Sequence, residues 1–380
     1  MRIFLIAAIL ALTGCQTLNP APPPGTASAS SGRIASLVQL VGCLKAEDPD
    51  LKISRCTGLI NSASEIEAEP EKRNQLLSTA HVLRGSAYLD KRDDRAAERD
   101  IERAIAFNPE NAGAYLARSV IWQRKDDFVE MLRDLDKAVA FDPDSAIVYA
   151  ARAHARIALA FPDSRRSGPL ETNLERDAIA DARADIVKSR TLDPEYSAPW
   201  RLLADIHFEL AEYDSAIGNY GEAIKRNSSD AKAFQHRGSA FFRIDDTAGA
   251  IQDFQTAIRL DPRDPGSYVK LSWIRAAAAE PRFRDGARAV ELALEANRIA
   301  GDQQHVTYLM LLPVAYAEAG WFEEAIGEQE RIIEIIKGTA LSSDDDDTRH
   351  LLGLYVGAEK LLQLFRNRQP FRLTRSDTSI

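Results

Sequence analysis

A landmark that returns every 34 residues leaves a chain few folds to choose from. Ala97, Met131, Ala182, Ala216 and Ala250 step by 34, 51, 34 and 34 residues, and 51 is one period plus half of another. Ala104, Ala138, Ser189, Ala223 and Ala257 keep the same steps, and so do Pro109, Pro143, Pro194, Ser228 and Pro262. Three series in register mean that the chain rewrites one unit. One copy, Leu83 to Pro109, reads LRGSAYLDKRDDRAAERDIERAIAFNP. Two amphipathic helical patterns meet at the charged turn Lys91–Asp94. The second pattern stops at a proline, which lacks the amide proton and clashes with the preceding turn.

The unit's residue types follow from close packing. Gly85, Ser119, Ala153, Ala204, Gly238 and Ser272 supply a small side chain where the partner helix crosses the first helix. Four residues earlier His81, Tyr115, Tyr149, Trp200, Phe234 and Tyr268 fill the gap to the preceding unit. In the second helix Ala is followed four residues later by a larger group, as in Ala97/Ile101, Ala216/Tyr220 and Ala250/Phe254. Both sets lie on one helical stripe. On these landmarks the stretch from Ser78 to Lys337 resembles the tetratricopeptide repeat family. The resemblance implies an all-α, right-handed α-solenoid of helix-turn-helix repeats over 78–337, closed by a C-terminal capping helix.

Ahead of the array stands MRIFLIAAILALTGC, one cation at Arg2 before an apolar run from Ile3 to Leu12. The run is short for a stable membrane span and suits a signal-peptide core. Leu12-Thr13-Gly14-Cys15 resembles the lipobox of bacterial lipoproteins, which implies a signal over 1–14, lipidation of Cys15 and anchoring to the envelope. An ordinary secretory signal is the alternative. Gln16 after the cysteine resembles lipoproteins sent on to the outer membrane, facing the periplasm. Residues 15–32, rich in Pro, Ala, Ser and Gly, read as a tether of roughly 20–25 Å mean span.

Residues 33–77 read as a helical hairpin, 34–46 and 51–66, broken at Asp48-Pro49-Asp50. Doubling back there would bring Cys43 and Cys56 together. An even cysteine pair in an oxidising compartment favours a disulfide, and two buried free thiols are the alternative. The formal charge of −9 and the lack of a basic run argue against nucleic-acid binding.

Two places break the period. About 17 extra residues fall near 161–177, where Pro162, Gly168 and Pro169 argue for a surface loop with a helical extension. The segment from Ala276 to Ala289 resembles an elongated repeat of bacterial tetratricopeptide proteins, in which a Pro-x-x-Arg-Asp-Gly turn precedes the second helix. In the last repeat Pro313 takes the small-residue place, which predicts a kink. Residues 338–380 then read as an acidic loop around Asp344–Asp347, a capping helix from Thr348 to Arg368, and a frayed tail from Gln369.

No HExxH, GxSxG or GxxxxGK[ST] occurs, and the six histidines are scattered. The expectation is therefore no catalytic residue, no metal site, no cofactor and no small-molecule substrate. The family resemblance points instead to the inner face of the first helices. Arg201, Asp205, Phe208, Gln235, Ser239, Phe242 and Trp273 fall there, with Phe208, Phe242 and Trp273 as an aromatic track for a partner segment or as ordinary packing. Asp253 is expected on the opposite, solvent-facing side. Lys, Arg and Asn clamp chaperone carboxy-termini in the family, whereas the inward places here are mostly apolar or neutral, which does not support that ligand class. The function implied is an envelope-anchored adaptor or scaffold for peptidoglycan enzymes, envelope assembly or pilus-type machinery. The alternatives are a permanent subunit of an outer-membrane complex, or an envelope enzyme or its regulatory arm.

Overall fold

A computed structural model describes residues 38–161, 172–301, 306–340 and 345–373. The signal and tether readings, Cys15, the core of the 161–177 insertion and the acidic loop before Asp345 lie outside the described residues. Among the described residues the regular elements are helices, and no helix is long and apolar enough to cross a membrane. The chain divides into two compact units, 1–125 and 126–380.

In the first unit α1 (38–45) is followed by α2 (Pro49–Ile66), α3 (Pro70–Asp90), α4 (Asp94–Phe107) and α5 (Ala112–Arg124). Asp48 caps α2 by accepting from the Leu51 amide at 2.8 Å, and Pro49 fits the first turn, where no amide proton is required. Cys43 of α1 and Cys56 of α2 are joined in a disulfide, both fully buried beside Leu40, Leu59 and Ala80. In the α3–α4 hairpin Ile101 and Ala97 press on Gly85, where an added Cβ would meet Ile101 at 3.0 Å.

The second unit comprises α6 (Phe128–Phe141), α7 (Ala146–Ala160), α8 (Asn173–Leu192), α9 (Ala198–Glu209), α10 (Tyr213–Arg226), α11 (Ala231–Arg243), α12 (Thr247–Leu260) and α13 (Pro265–Ala277). A 3-10 turn at Pro281–Phe283 leads to α14 (Gly286–Ala300), α15 (Val306–Glu318), α16 (Phe322–Ala340) and α17 (Asp345–Arg366). Residues 173–177, read as part of the insertion loop, are the first turns of α8, started by a Thr172/Glu175 capping box. Likewise Asp345–Asp347 belong to α17. Pro313 sits inside α15, which continues through it as one helix.

Five of the turns inside repeats are built the same way. Arg92, Asp126, Ala211, Asp245 and Gly320 all have positive φ, at 60°, 55°, 61°, 63° and 84°. At four of them the next amide reaches back five residues, as in Glu212 N–H to the His207 carbonyl at 2.8 Å and Trp321 N–H to the Tyr316 carbonyl at 2.9 Å. This closes the orphan carbonyls of the first helix in a Schellman motif. An aspartate caps the second helix in four repeats, with Asp93, Asp127, Asp246 and Asp285 accepting from the amide three residues on.

A second recurrent device escaped the sequence reading. Arg84, Arg152 and Arg237 on first helices each grip a buried aspartate of a second helix, Asp100, Asp185 and Asp253. The Arg237–Asp253 pair is bidentate at 2.7 and 2.9 Å. Asp253, expected on the solvent side, is only 4% exposed. A one-residue difference on a helix turns a side chain by about 100°, enough to move it from the outer face into the hairpin seam.

Candidate functional site

The register of this latch shows where the array departs from itself. One period after Arg152 plus the 17-residue insertion stands Leu203, and in the place of Asp185 stands Asn219. The hairpin α9–α10 therefore lacks the latch. It carries a different, half-buried acid, Asp205, two residues further along the first helix. Tyr220, at a place held elsewhere by Ile101, Leu135, Ile186 and Phe254, donates its hydroxyl to Asp205 Oδ1 at 2.7 Å. His236 Nδ1 of α11 lies 2.9 Å from the same oxygen, and Arg201 Nη1 lies 3.4 Å from Oδ2. Burial pushes the Asp205 carboxyl up, but His236, Arg201 and the Tyr220 hydroxyl outweigh it, so the group stays below its ordinary pKa.

Asp205 sits on the wall of a cavity of about 440 Å³. Four first helices supply its lining. His154, Ile157, Ala158 and Phe161 come from α7 and its end, Asp205, Phe208 and Glu209 from α9, His236 and Ser239 from α11, and Lys270 from α13. Tyr220 of α10 forms the floor. The stacking of repeats explains the set: His154, Asp205 and Ser239 occupy one inward place in successive repeats, and His236 and Lys270 occupy another.

Two of the polar groups on this wall, Glu209 and Lys270, are held short of partners among the described residues. Glu209 Oε2 is enclosed with no hydrogen-bond partner among the described residues. Its pKa is raised to about 7 by burial and then by the Asp205 charge, against the pull of Arg243. Lys270 makes no ion pair among the described residues; burial first, and Arg243 second, lower its pKa. Burial also lowers that of His154, helped by the Arg201 guanidinium, and Phe128 packs edge-on against its ring. A concave recess with apolar walls and a few unpaired polar groups is the usual form of a binding site. Among the described residues no group of three or more His, Cys, Asp or Glu is placed to hold a metal ion.

The residues singled out from sequence divide between this cavity and its surroundings. Asp205, Phe208 and Ser239 line it, and Arg201 braces Asp205. Gln235 instead donates to Asp264 Oδ2 at 2.6 Å. Phe242 and Trp273 border a neighbouring crevice of only about 10 Å³, room for a single water. The aromatic track is therefore not open. Phe208 packs edge-on to Tyr213, Phe242 lies against the last hydrophobic core, and Trp273 is 9% exposed. His154 and His236, read as scattered, are part of the wall. Their periodic placement with Asp205, Ser239 and Lys270 was the signal available for finding them.

Models of the family described as tetratricopeptide repeat match residues 78–111 and 177–265. The Hsp70-Hsp90 organizing protein of Triticum aestivum is 27% identical over 89 residues, 23% of this chain and 15% of that protein. The heat shock protein sti1 homolog of Schizosaccharomyces pombe is 32% identical over 79 residues, 21% of this chain and 13% of that protein. The chain thus matches less than a fifth of the length of either relative. A tetratricopeptide repeat protein of Parabacteroides merdae, known from its crystal structure, shares the fold with a TM-score of 0.52. It is 13% identical over 75% of this chain and 99% of that one. With the period, the latched hairpins and the family match in agreement, residues 78–111 and 177–265 are identified as tetratricopeptide repeats.

Proposed function

We propose that this protein is an adaptor or scaffold of the bacterial envelope that recruits other envelope proteins through the inner face of its repeats. Lipid on Cys15 holds it to the outer membrane on the periplasmic side, and it performs no chemical step of its own. The observation that carries the recruiting role is the cavity of about 440 Å³, where among the described residues Glu209 Oε2 has no hydrogen-bond partner and Lys270 no ion pair, on a wall built from four successive first helices. Leu12-Thr13-Gly14-Cys15 supports the anchor, and the Cys43–Cys56 disulfide supports an oxidising compartment. The relative from Triticum aestivum is named for organising Hsp70 and Hsp90. The charged lining here includes the two acids Asp205 and Glu209, and Lys270 is its one Lys or Arg, so the adaptor reading carries over and those partners do not.

A photo-crosslinking residue placed at Ser239, and separately at the exposed Gln255 of α12, tests the reading in the native host. Ser239 should capture one or a few envelope proteins that Gln255 misses. Equal background from both sites would overturn the cavity as the recruiting surface. Palmitate labelling that persists in Cys15→Ala would overturn the anchor.

A further inference from the structure

The segment after α17, expected to fray, is docked. Arg368 has φ of 54°, with its amide donating to the Phe365 carbonyl at 2.9 Å and that of Gln369 to the Leu364 carbonyl at 2.8 Å. This is the same turn that closes the first helix in four of the repeats, and Pro370 then keeps the chain extended. The extended piece runs back to the inner side of α15 and α13. Phe371 meets the face of Trp273 edge-on, with ring centroids 6.2 Å apart. Arg372 Nη1 pairs with Glu318 Oε2 at 2.6 Å, beside Arg284, which holds the other oxygen at 3.1 Å. Leu373 is 8% exposed within the last core, and its amide donates to the Ala277 carbonyl at 2.8 Å.

Such a set of contacts is what a bound peptide would make: one main-chain hydrogen bond, an aromatic anchor, a charge pair and an aliphatic anchor. It covers Trp273, one of the inward residues, and the crevice that Trp273 shares with Ser239 and Lys270 adjoins the open cavity. The fit is also incomplete. Trp273 Nε1 is enclosed with no acceptor among the described residues, so an occupant that brings a carbonyl there gains a hydrogen bond that the segment lacks.

We propose that the inner face of α13 and α15 is a docking site for extended protein segments of the pattern aromatic–basic–aliphatic, which Phe371–Leu373 occupies in cis and a partner's segment displaces. This rests on the reading of the inner face as the recruiting surface and names the chemistry of the partner. A tethered segment competes at an effective concentration in the millimolar range, so a free segment of equal affinity binds the closed chain poorly.

The test uses a fluorescent peptide of residues 367–376 added to three otherwise full chains: the parent, Phe371→Ala/Arg372→Glu, and a chain ending at Arg368. Circular dichroism confirms that each is folded. Anisotropy should show the peptide binding both opened chains at least tenfold more tightly than the parent. The same peptide carrying F371A and R372E should lose at least tenfold. Folded opened chains that fail to bind the peptide would overturn the proposal, and so would equal binding by the altered peptide. A concentration-dependent dimer of the parent would assign the segment to a second copy and overturn occupancy in cis. Capture at Ser239 without peptide binding would leave the adaptor reading standing and remove this one.

Discussion

Gly286 begins α14 against the end of α15, and an added methyl there has nowhere to go. An ideal Cβ would lie 2.4 Å from the Ala319 nitrogen, 2.6 Å from its Cα and 2.6 Å from the Glu318 carbonyl carbon. Carbon contacts are comfortable from about 3.5 Å, so the helices must part by about 1 Å. All three atoms are backbone, and no side-chain rotation relieves them. Overpacking of this kind costs about 1–3 kcal/mol, and the rigid surroundings put Gly286→Ala near the upper end. Alanine's better helix propensity returns up to about 1 kcal/mol, which leaves a net loss of about 2 kcal/mol. Gly218, inside α10 with nothing within 4 Å of an added Cβ, is the control. Gly218→Ala should stabilise by about 0.5–1 kcal/mol from propensity alone. Urea unfolding followed by circular dichroism gives both values. Hydrogen exchange then places the Gly286→Ala loss in α14 and α15, as expected where each repeat leans only on its neighbours. A Gly286→Ala protein within about 0.5 kcal/mol of the parent would refute the reasoning from close approach.

The latch makes a contrasting pair of predictions. Asp253→Ala strands the Arg237 guanidinium and should cost about 3 kcal/mol or more. Arg237→Leu/Asp253→Asn, which copies the residues at 203 and 219, should cost at least about 2 kcal/mol less in the same urea series. Glu209 sets a pH dependence. Its folded pKa, about 7, lies above the ordinary 4.5, so its contribution is full below pH 4.5 and is lost as pH rises through 7. His154, with a lowered pKa, acts in the opposite sense below its ordinary 6.5, so the comparison that isolates Glu209 is parent against Glu209→Gln. The difference in stability between them should change between pH 4.5 and 7 and stay flat above 8. The Cys43–Cys56 bond closes residues 13 apart in sequence, and Cys43→Ser/Cys56→Ser should lose about 3 kcal/mol, seen as faster hydrogen exchange in α1 and α2 only.

The repeat was legible because close packing writes the same small residues at the same interval. Gly85, Ala153 and Gly238 face a crossing helix in each copy, so one physical demand is recorded many times. The cavity is the opposite case. His154, Glu209, His236 and Lys270 each occur once, and each looks like background until the exchange of Arg and Asp for Leu203 and Asn219 marks α9–α10 as the odd hairpin. Trp273 was expected to be open on the inner face, yet its exposure depends on Phe371, a residue in a stretch with no periodicity at all. Two apolar residues around an arginine cannot announce burial, because their contacts at Trp273, Ala277 and Glu318 come from remote parts of the chain. Asp253 failed for a narrower reason: a charged residue was read as an outer one, and the arginine that neutralises it sits 16 residues earlier on another helix.

The left-handed turns carry a mechanical consequence. Arg92, Asp126, Ala211 and Asp245 hold a conformation that costs a residue with a side chain about 1–2 kcal/mol, and only Gly320 escapes it. The strain is divided among four separate hairpin turns instead of being gathered at a single joint. A chain strained in small separate steps gathers no weakness in any one of these turns. Pulled from its ends, it should yield hairpin by hairpin in many small extensions, behaving as a spring in series and not as a block that snaps.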